Sequence, residues 1–248
     1  MTRFELHAWS AWAPGLATRD EWRAWAAAPS APPTEGAPEV RFIPAMARRR
    51  LSRIAKMTMQ VAYEVATPGE LRELPLVFAS RHAEVCGSLQ ILRDIVADLP
   101  LSPTAFSHSV HNAPPGQLSI QTGNRRPAVS VAAQRATFAA GLVESLALSH
   151  RLGGDRVLFL SADEIVPAEF AHFADEPHST CATACVLSLP SPTAAGEPLS
   201  LTPLPRAASA EWREPPDVLR FLAWLAGGAR EVELEGTGGT RWRVERGG

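Results

Sequence analysis

Cysteine is scarce: three residues in 248, Cys86, Cys181 and Cys185, an odd set without a repeated spacing. Cys181 and Cys185 stand four apart with no second Cys or His pair at ligand distance. That argues against zinc or any other metal and for buried, reduced thiols. Charge of one sign is also lacking. A net charge of −2 gives no bias toward nucleic acid or a membrane surface. Long apolar runs are missing too. The opening stretch MTRFELHAWSAWAPG has no continuous apolar core of the signal-peptide kind, and no run approaches bilayer-spanning length. A cytoplasmic protein is expected.

What is present is an alternation of strand and helix patterns. FELHAWS (4–10) alternates as a strand does, and PSAPPTEGAPE (29–39) is a loop by its Pro and Gly content. Residues 45–65 turn helical after a basic start. PLVFAS (75–80) is a compact apolar strand, and 84–99 is a helix stopped by Pro100. A long connection, 102–124, leads to PAVSVAA (127–133), a strand, and then to a helix over 135–152. RVLFLSA (156–162) and TACVLSL (183–189) are further strands. Apolar strands with helices between them predict an α/β fold with a mostly parallel five-stranded sheet covered on both faces. Residues 191–248 read as a separate appendage: a Pro- and Ala-rich linker, a short helix at 217–229 and a hairpin around Gly236 to Gly239.

The helix 135–152 is apolar or small nearly all the way round, so one sheet cannot cover it. The appendage, a second chain or both must supply the rest. Gly141 and the alanines would let a second helix approach closely. At the turn between strand and helix, SVAAQRATFAAG (130–141), an α/β enzyme often mounts a nucleophile. Gln134 stands there, and a neutral amide cannot attack a carbonyl.

The run SPTAFSHSVHNAPPGQLSIQTGNRRPAVSVAAQRATFAAG resembles the N-terminal half of β-ketoacyl synthases, over roughly residues 1–190 and most strongly over 100–165. Asn112 and Gly116 match the family's Asn-x-x-x-Gly element, Gly123 its Gly-bearing loop, and Gln134 falls where the family's acyl-accepting Cys would be. The resemblance implies the N-terminal half of a thiolase-like fold. Gln in place of that Cys resembles chain length factors, the inactive partners of type II polyketide ketosynthases, and also the loading decarboxylases. The wording VHNAPPGQLSI is most similar to chain-length-factor-like proteins of aryl polyene systems. The family's two C-terminal histidine motifs are absent; EGTGGTRW (235–242) looks superficially like the first but begins at Glu235.

Claisen condensation needs a thiolate and enolate-stabilising donors. Gln134 cannot be the thiolate. Its amide could donate to a thioester oxygen, as in decarboxylating relatives, or serve as a polar plug bonded to backbone groups at the helix N-terminus. His111 and Asn112 are either tunnel or interface residues or caps of a helix starting near Pro114. Phe106 and Phe138 would limit tunnel depth or sit in the core. Arg81, His82 and Glu84 form a polar strand-end loop. Arg48, Arg49, Arg50, Arg53 and Lys56 form either a solvated helix face or a steering patch for an acidic acyl carrier protein. Trp9, Trp12, Trp22 and Trp25 suggest a core or docking surface. The resemblance implies a non-condensing subunit that pairs with a full-length β-ketoacyl synthase. It would have no cofactor of its own, its substrates riding on carrier-protein phosphopantetheine; the alternative is a malonyl-carrier-protein decarboxylase making primer units.

Overall fold

The computed structural model describes residues 1–174, 179–192, 195–205 and 215–247. In chain order the elements are β1 (Thr2–Trp12), α1 (Arg19–Ala27), α2 (Ala45–Arg48), α3 (Arg53–Val65), α4 (Pro68–Glu73), β2 (Leu76–Ala79), α5 (Val85–Val96), α6 (Pro103–Ser107) and α7 (Ala113–Thr122). They continue with β3 (Ala128–Val131), α8 (Thr137–Arg151), β4 (Val157–Asp163), a 3-10 turn at Ala168–Phe173, β5 (Cys181–Ser188), β6 (Glu197–Leu204), α9 (Asp217–Gly227), β7 (Glu231–Glu235) and β8 (Arg241–Arg246). The strands form one sheet in the order β3-β2-β4-β5-β1-β6-β8-β7.

Helices cover both faces, as the pattern predicts. One face buries Trp22 of α1, Phe138 and Leu142 of α8, and Phe221 and Leu222 of α9 against Phe4 and Phe159. The other buries Ile54 and Met57 of α3, Leu71 of α4 and Leu118 of α7 against Phe78 and Leu160. Strands β2 and β5 are buried at every position, which is why they read as unbroken apolar runs. Local signals set the helix starts. Thr18 and Glu21 close a capping box on α1, and the Ser52 hydroxyl accepts from the Ala55 N–H at the head of α3.

The sheet differs from the expected mostly parallel, five-stranded one. Among the described residues it has eight strands, and only β2 with β3 and β2 with β4 pair parallel. The β1–β5, β1–β6, β4–β5, β6–β8 and β7–β8 pairs are antiparallel. The physical reason is the return from β4: a 3-10 turn stands where a crossover helix would, so β5 comes back alongside β4 in the opposite sense. Strand β6 lies in the Pro-rich stretch taken as linker. Leu199 and Leu201 are its buried positions, and its prolines stay at more exposed sites. The stretch read as an appendage thus extends the same sheet: β6 is bonded to β1, and β8 and β7 follow outward. Positions 193–194 and 206–214 of the linker lie outside the described residues.

Helix α8 obtains part of its cover beyond the sheet from within the chain, leaving a stripe through Ala147 and His150 exposed. On the sheet side it packs on β2 and β4. On the same face of the sheet, α9 lies beside α8, and the Phe138 ring meets Phe221 at 5.0 Å between centroids. Gly141 faces strands rather than a second helix, and a Cβ there would stand 2.5 Å from Ala79 Cβ and 2.7 Å from Phe159 Cε2. Replacing glycine by alanine within a helix ordinarily gains up to about 1 kcal/mol. At this contact the sign reverses: Gly141→Ala is expected to lose about 1–3 kcal/mol through overpacking, read as a lower denaturant midpoint.

Candidate functional site

Because β3, β2 and β4 run parallel, their carboxyl ends emerge side by side, and the chain from β3 enters α8 there. Five residues make the turn. At its centre Gln134 has φ +53°, a left-handed backbone that an L residue avoids by about 1–2 kcal/mol. Thr137 braces it from within the helix. Its hydroxyl donates to the Gln134 carbonyl at 2.6 Å and accepts from the Ala133 N–H at 2.9 Å. The N–H groups of Thr137 and Ala136 close back onto the Gln134 and Ala133 carbonyls. The Gln134 residue itself is exposed. A polar plug under the helix terminus is therefore ruled out, since the elbow turns the side chain outward. The turn has the shape of a nucleophile's mount and carries an amide.

The loop after β2 lies next to this elbow, joined to it where the Ser80 N–H donates to the Val131 carbonyl at 3.2 Å. Asp163, the last residue of β4, pins that loop. Its carboxylate accepts from the Ser80 hydroxyl at 2.8 Å and from the Arg81 and His82 N–H groups at 3.0 Å each. The Ser80 hydroxyl oxygen in turn accepts from the N–H of Ala83, itself left-handed at φ +43°. His111 reaches the same place, its Nε2 lying 2.8 Å from the Ser80 carbonyl oxygen, with Phe78 edge-on to the ring.

The other predicted residues disperse. Asn112 is exposed at the cap of α7 but makes no side-chain capping bond, so the capping expectation fails. Gly116 is exposed on α7 with no atom within 4 Å of a would-be Cβ. Phe106 is 66% exposed on α6, whereas Phe138 is core, edge-on to Phe159 and tilted against Phe221. The basic stretch does not form one helix face. Arg48 ends α2, Arg49 and Arg50 are exposed in the connection, and Arg53 and Lys56 lie half-buried on α3. Arg53 is engaged, with Nε 3.5 Å from Glu164 and Nη2 donating to the Thr34 carbonyl. Trp22 and Trp25 are core and meet edge to face.

Sequence reasoning missed a buried acidic pair at this same end. Glu84 and Glu164 are each only 4% exposed. The Ser52 hydroxyl donates to Glu84 at 2.6 Å, and the next residue, Arg53, pairs with Glu164. Burial pushes the Glu84 carboxyl up to about 7 against the pull of Ser52, and burial likewise raises Glu164 against the attraction of Arg53. Burial also pushes the Cys86 thiol up to about 11 and the Cys185 thiol up to about 12, so neither is a nucleophile at neutral pH. The available signal was only that each Glu follows a strand end. Among the described residues no group of three His, Cys, Asp or Glu is placed to hold a metal ion. Two surface cavities of about 450 and 460 Å³, one beside His7 and Arg156 and one beside Arg3 and Arg230, are not lined by the elbow.

The strained turn makes a direct forecast. Gln134→Gly, which relieves the left-handed penalty, is expected to raise stability by about 1 kcal/mol, and Gln134→Val to lower it by at least as much, both read by chemical denaturation.

Comparison with known proteins agrees with this architecture. A solved ketosynthase (ApeO) in complex with its chain length factor (ApeC) from Xenorhabdus doucetiae is similar over 99% of this chain and 100% of the matched one, at 29% identity and a TM-score of 0.80. The ishigamide ketosynthase/chain length factor covers 81% of this chain and 67% of its own at 16% identity and a TM-score of 0.66. A β-ketoacyl synthase from Burkholderia phymatum covers 92% and 71% at 11% identity and a TM-score of 0.56; these last two likenesses speak to the fold alone. No curated protein matches the sequence. The fold is the thiolase-like fold of ketosynthases. The model of the β-ketoacyl synthase N-terminal domain matches residues 22–243, from within α1 into β8, and on that ground the chain belongs to the β-ketoacyl synthase N-terminal domain family.

Proposed function

We propose that this chain is a chain-length-factor-like, non-condensing subunit. It pairs with a full-length β-ketoacyl-carrier-protein synthase in polyketide, aryl polyene or fatty-acid-type biosynthesis and shapes the acyl tunnel from its side of the interface. The observation that carries this proposal is Gln134, exposed on a nucleophile-type elbow beside an edge strand. An amide there can line or plug a partner's channel but cannot carry an acyl group. Behind the elbow the rings of Phe138, Phe159 and Phe221 fill the space under α8, which speaks against an acyl chain lodging within this chain.

Two surfaces near the elbow suit a partner. Strand β3 ends the sheet. Pro127 and Val131 turn their carbonyls toward β2, so the backbone groups of Ala128 and Ser130 point outward. Helices α5 and α6 and their flanks expose the large apolar side chains Leu92, Ile95, Val96, Leu99, Leu101 and Phe106, which a partner could cover. The similar ketosynthase–chain length factor complex from Xenorhabdus doucetiae supports the same pairing. Arg48, Arg49 and Arg50, with Lys56 nearby, are left for steering an acidic carrier protein whose phosphopantetheine brings the substrate.

Co-expression with a neighbouring full-length synthase is the test. A 1:1 complex on size exclusion with light scattering is expected, and separate proteins would overturn the proposal. Ser130→Pro removes an outward donor without touching the β2 ladder and is expected to weaken the complex at least tenfold while thermal stability hardly changes. The chain alone is expected to release no carbon dioxide from malonyl-carrier protein. Release that Gln134→Ala abolishes would instead establish a decarboxylase. In the complex, the double change Arg49→Glu and Arg50→Glu is expected to slow carrier-protein association about tenfold at low salt, the difference vanishing near 0.5 M.

A further inference from the structure

The buried acidic pair stands at the root of two elements that carry exposed apolar residues. Glu84 immediately precedes α5, whose Leu92, Ile95 and Val96 face solvent and whose only buried residues are Leu89 and Ile91. Glu164 immediately follows β4 and begins the segment carrying exposed Ile165 and Phe173. Arg93 of α5 and Glu169 of the 3-10 turn form an ion pair across the two elements. Both roots converge on Ser52 and Arg53, consecutive residues at the head of α3. With so little of α5 packed into the body, its attachment depends heavily on this point.

Among the described residues, three charged or titratable groups act on the pair. Arg53 comes from α3, Asp163 from the end of β4, and the Cys86 thiol from the first turn of α5. Asp163 adds negative charge to Glu164, although its own oxygens are taken by the loop after β2. Arg53 compensates Glu164, whereas Glu84 meets the Ser52 hydroxyl and the repulsion of Glu164. If both glutamates ionise, the site holds an uncompensated buried charge, which is costly. If one carboxylate oxygen takes a proton from solvent, the remaining charge matches Arg53 and the carboxyl gains a donor.

We propose that Glu84 and Glu164 form a proton-dependent joint that sets how firmly α5 and the 165–173 segment are held to the body, and through them the partner-facing surface. The regulatory part rests on the heterodimer proposed above; the joint itself does not. The closed joint binds a proton more tightly than the loosened one, whose carboxyls return to water and their ordinary range. The closed form is therefore favoured at low pH and loses ground as pH rises from the ordinary carboxyl range toward 7, the upper end being where Glu84 titrates.

Hydrogen exchange of the full chain at pH 5.5, 6.5 and 7.5, corrected for intrinsic rates, reads the opening directly. The opening constant for residues 85–96 is expected to rise at least tenfold over that range, one pH unit of linkage being worth about tenfold. That for β4 should stay level. Glu84→Gln, which imitates the protonated carboxyl, is expected to flatten the profile at the closed level. A level wild-type profile, or a Glu84→Gln chain with the wild-type slope, overturns the joint. Should Glu84→Gln fail to fold, Glu164→Gln is held to the same slope criterion. Affinity for the co-expressed synthase is then expected to fall between pH 5.5 and 7.5 in the wild type and to stay level in Glu84→Gln. A titrating joint in a chain that binds no synthase defeats the heterodimer and spares the joint; a complex formed by a chain with level exchange does the reverse.

Discussion

The contact of α8 with β2 and β4 is the constraint from which the rest of this molecule follows. Gly141 lets the helix axis come closer to the sheet than any side chain there would permit, with Ala79 and Phe159 directly beneath it. A helix seated that close brings its amino end hard against the end of β3. Only a tight turn can join the two, and the chain makes it by putting Gln134 in the left-handed region, with the Thr137 hydroxyl holding both sides of the bend. Close packing and a strained elbow are thus one feature seen at two points.

The same helix explains why the C-terminal stretch belongs to the fold. An apolar helix with one face on a sheet needs a second cover, and α9 provides it through Phe221. To bring α9 there, the chain adds β6 to the free edge of β1 and then folds the β7–β8 hairpin back on β6. Asp217 at the start of α9 ties the helix to this hairpin, accepting from the Glu235 N–H and pairing with Arg220. The cover is thereby anchored to the strands it arrives with.

Adjacent residues at the end of β4 meet opposite fates. Asp163 is surrounded by N–H and O–H donors, so its charge is well compensated in place. Glu164 is buried near another glutamate, with Arg53 as its ion-pair partner at 3.5 Å. The first arrangement makes a rigid loop beside the elbow; the second leaves an electrostatic imbalance beneath the least firmly packed helix. Rigid chemistry-type geometry and an adjustable flank therefore share one end of the sheet.

The strands β1 to β5, the helices that became α3, α5, α8 and α9, and the terminal hairpin were all legible in the order of residues, because hydrophobic period and Gly or Pro punctuation are local properties. So was the elbow, since a short apolar strand, a polar residue and a small-residue helix follow each other directly. Strand direction was not legible: whether β5 returns parallel or antiparallel depends on the path of the connection, and the β6 alternation was masked by its prolines. Helix α1 was not legible either, since its buried stripe is only Trp22 and Trp25, too short to set a helical period. The chain order alone determined that an amide occupies a nucleophile's mount and that α8 must be covered twice. Only tertiary structure decided that the amide points outward, that α9 is the second cover, and that Glu84 and Glu164, 80 positions apart in sequence, are held by neighbouring residues. Burial and charge pairing across such a separation are properties of the packed sheet ends and leave no periodic trace in the sequence.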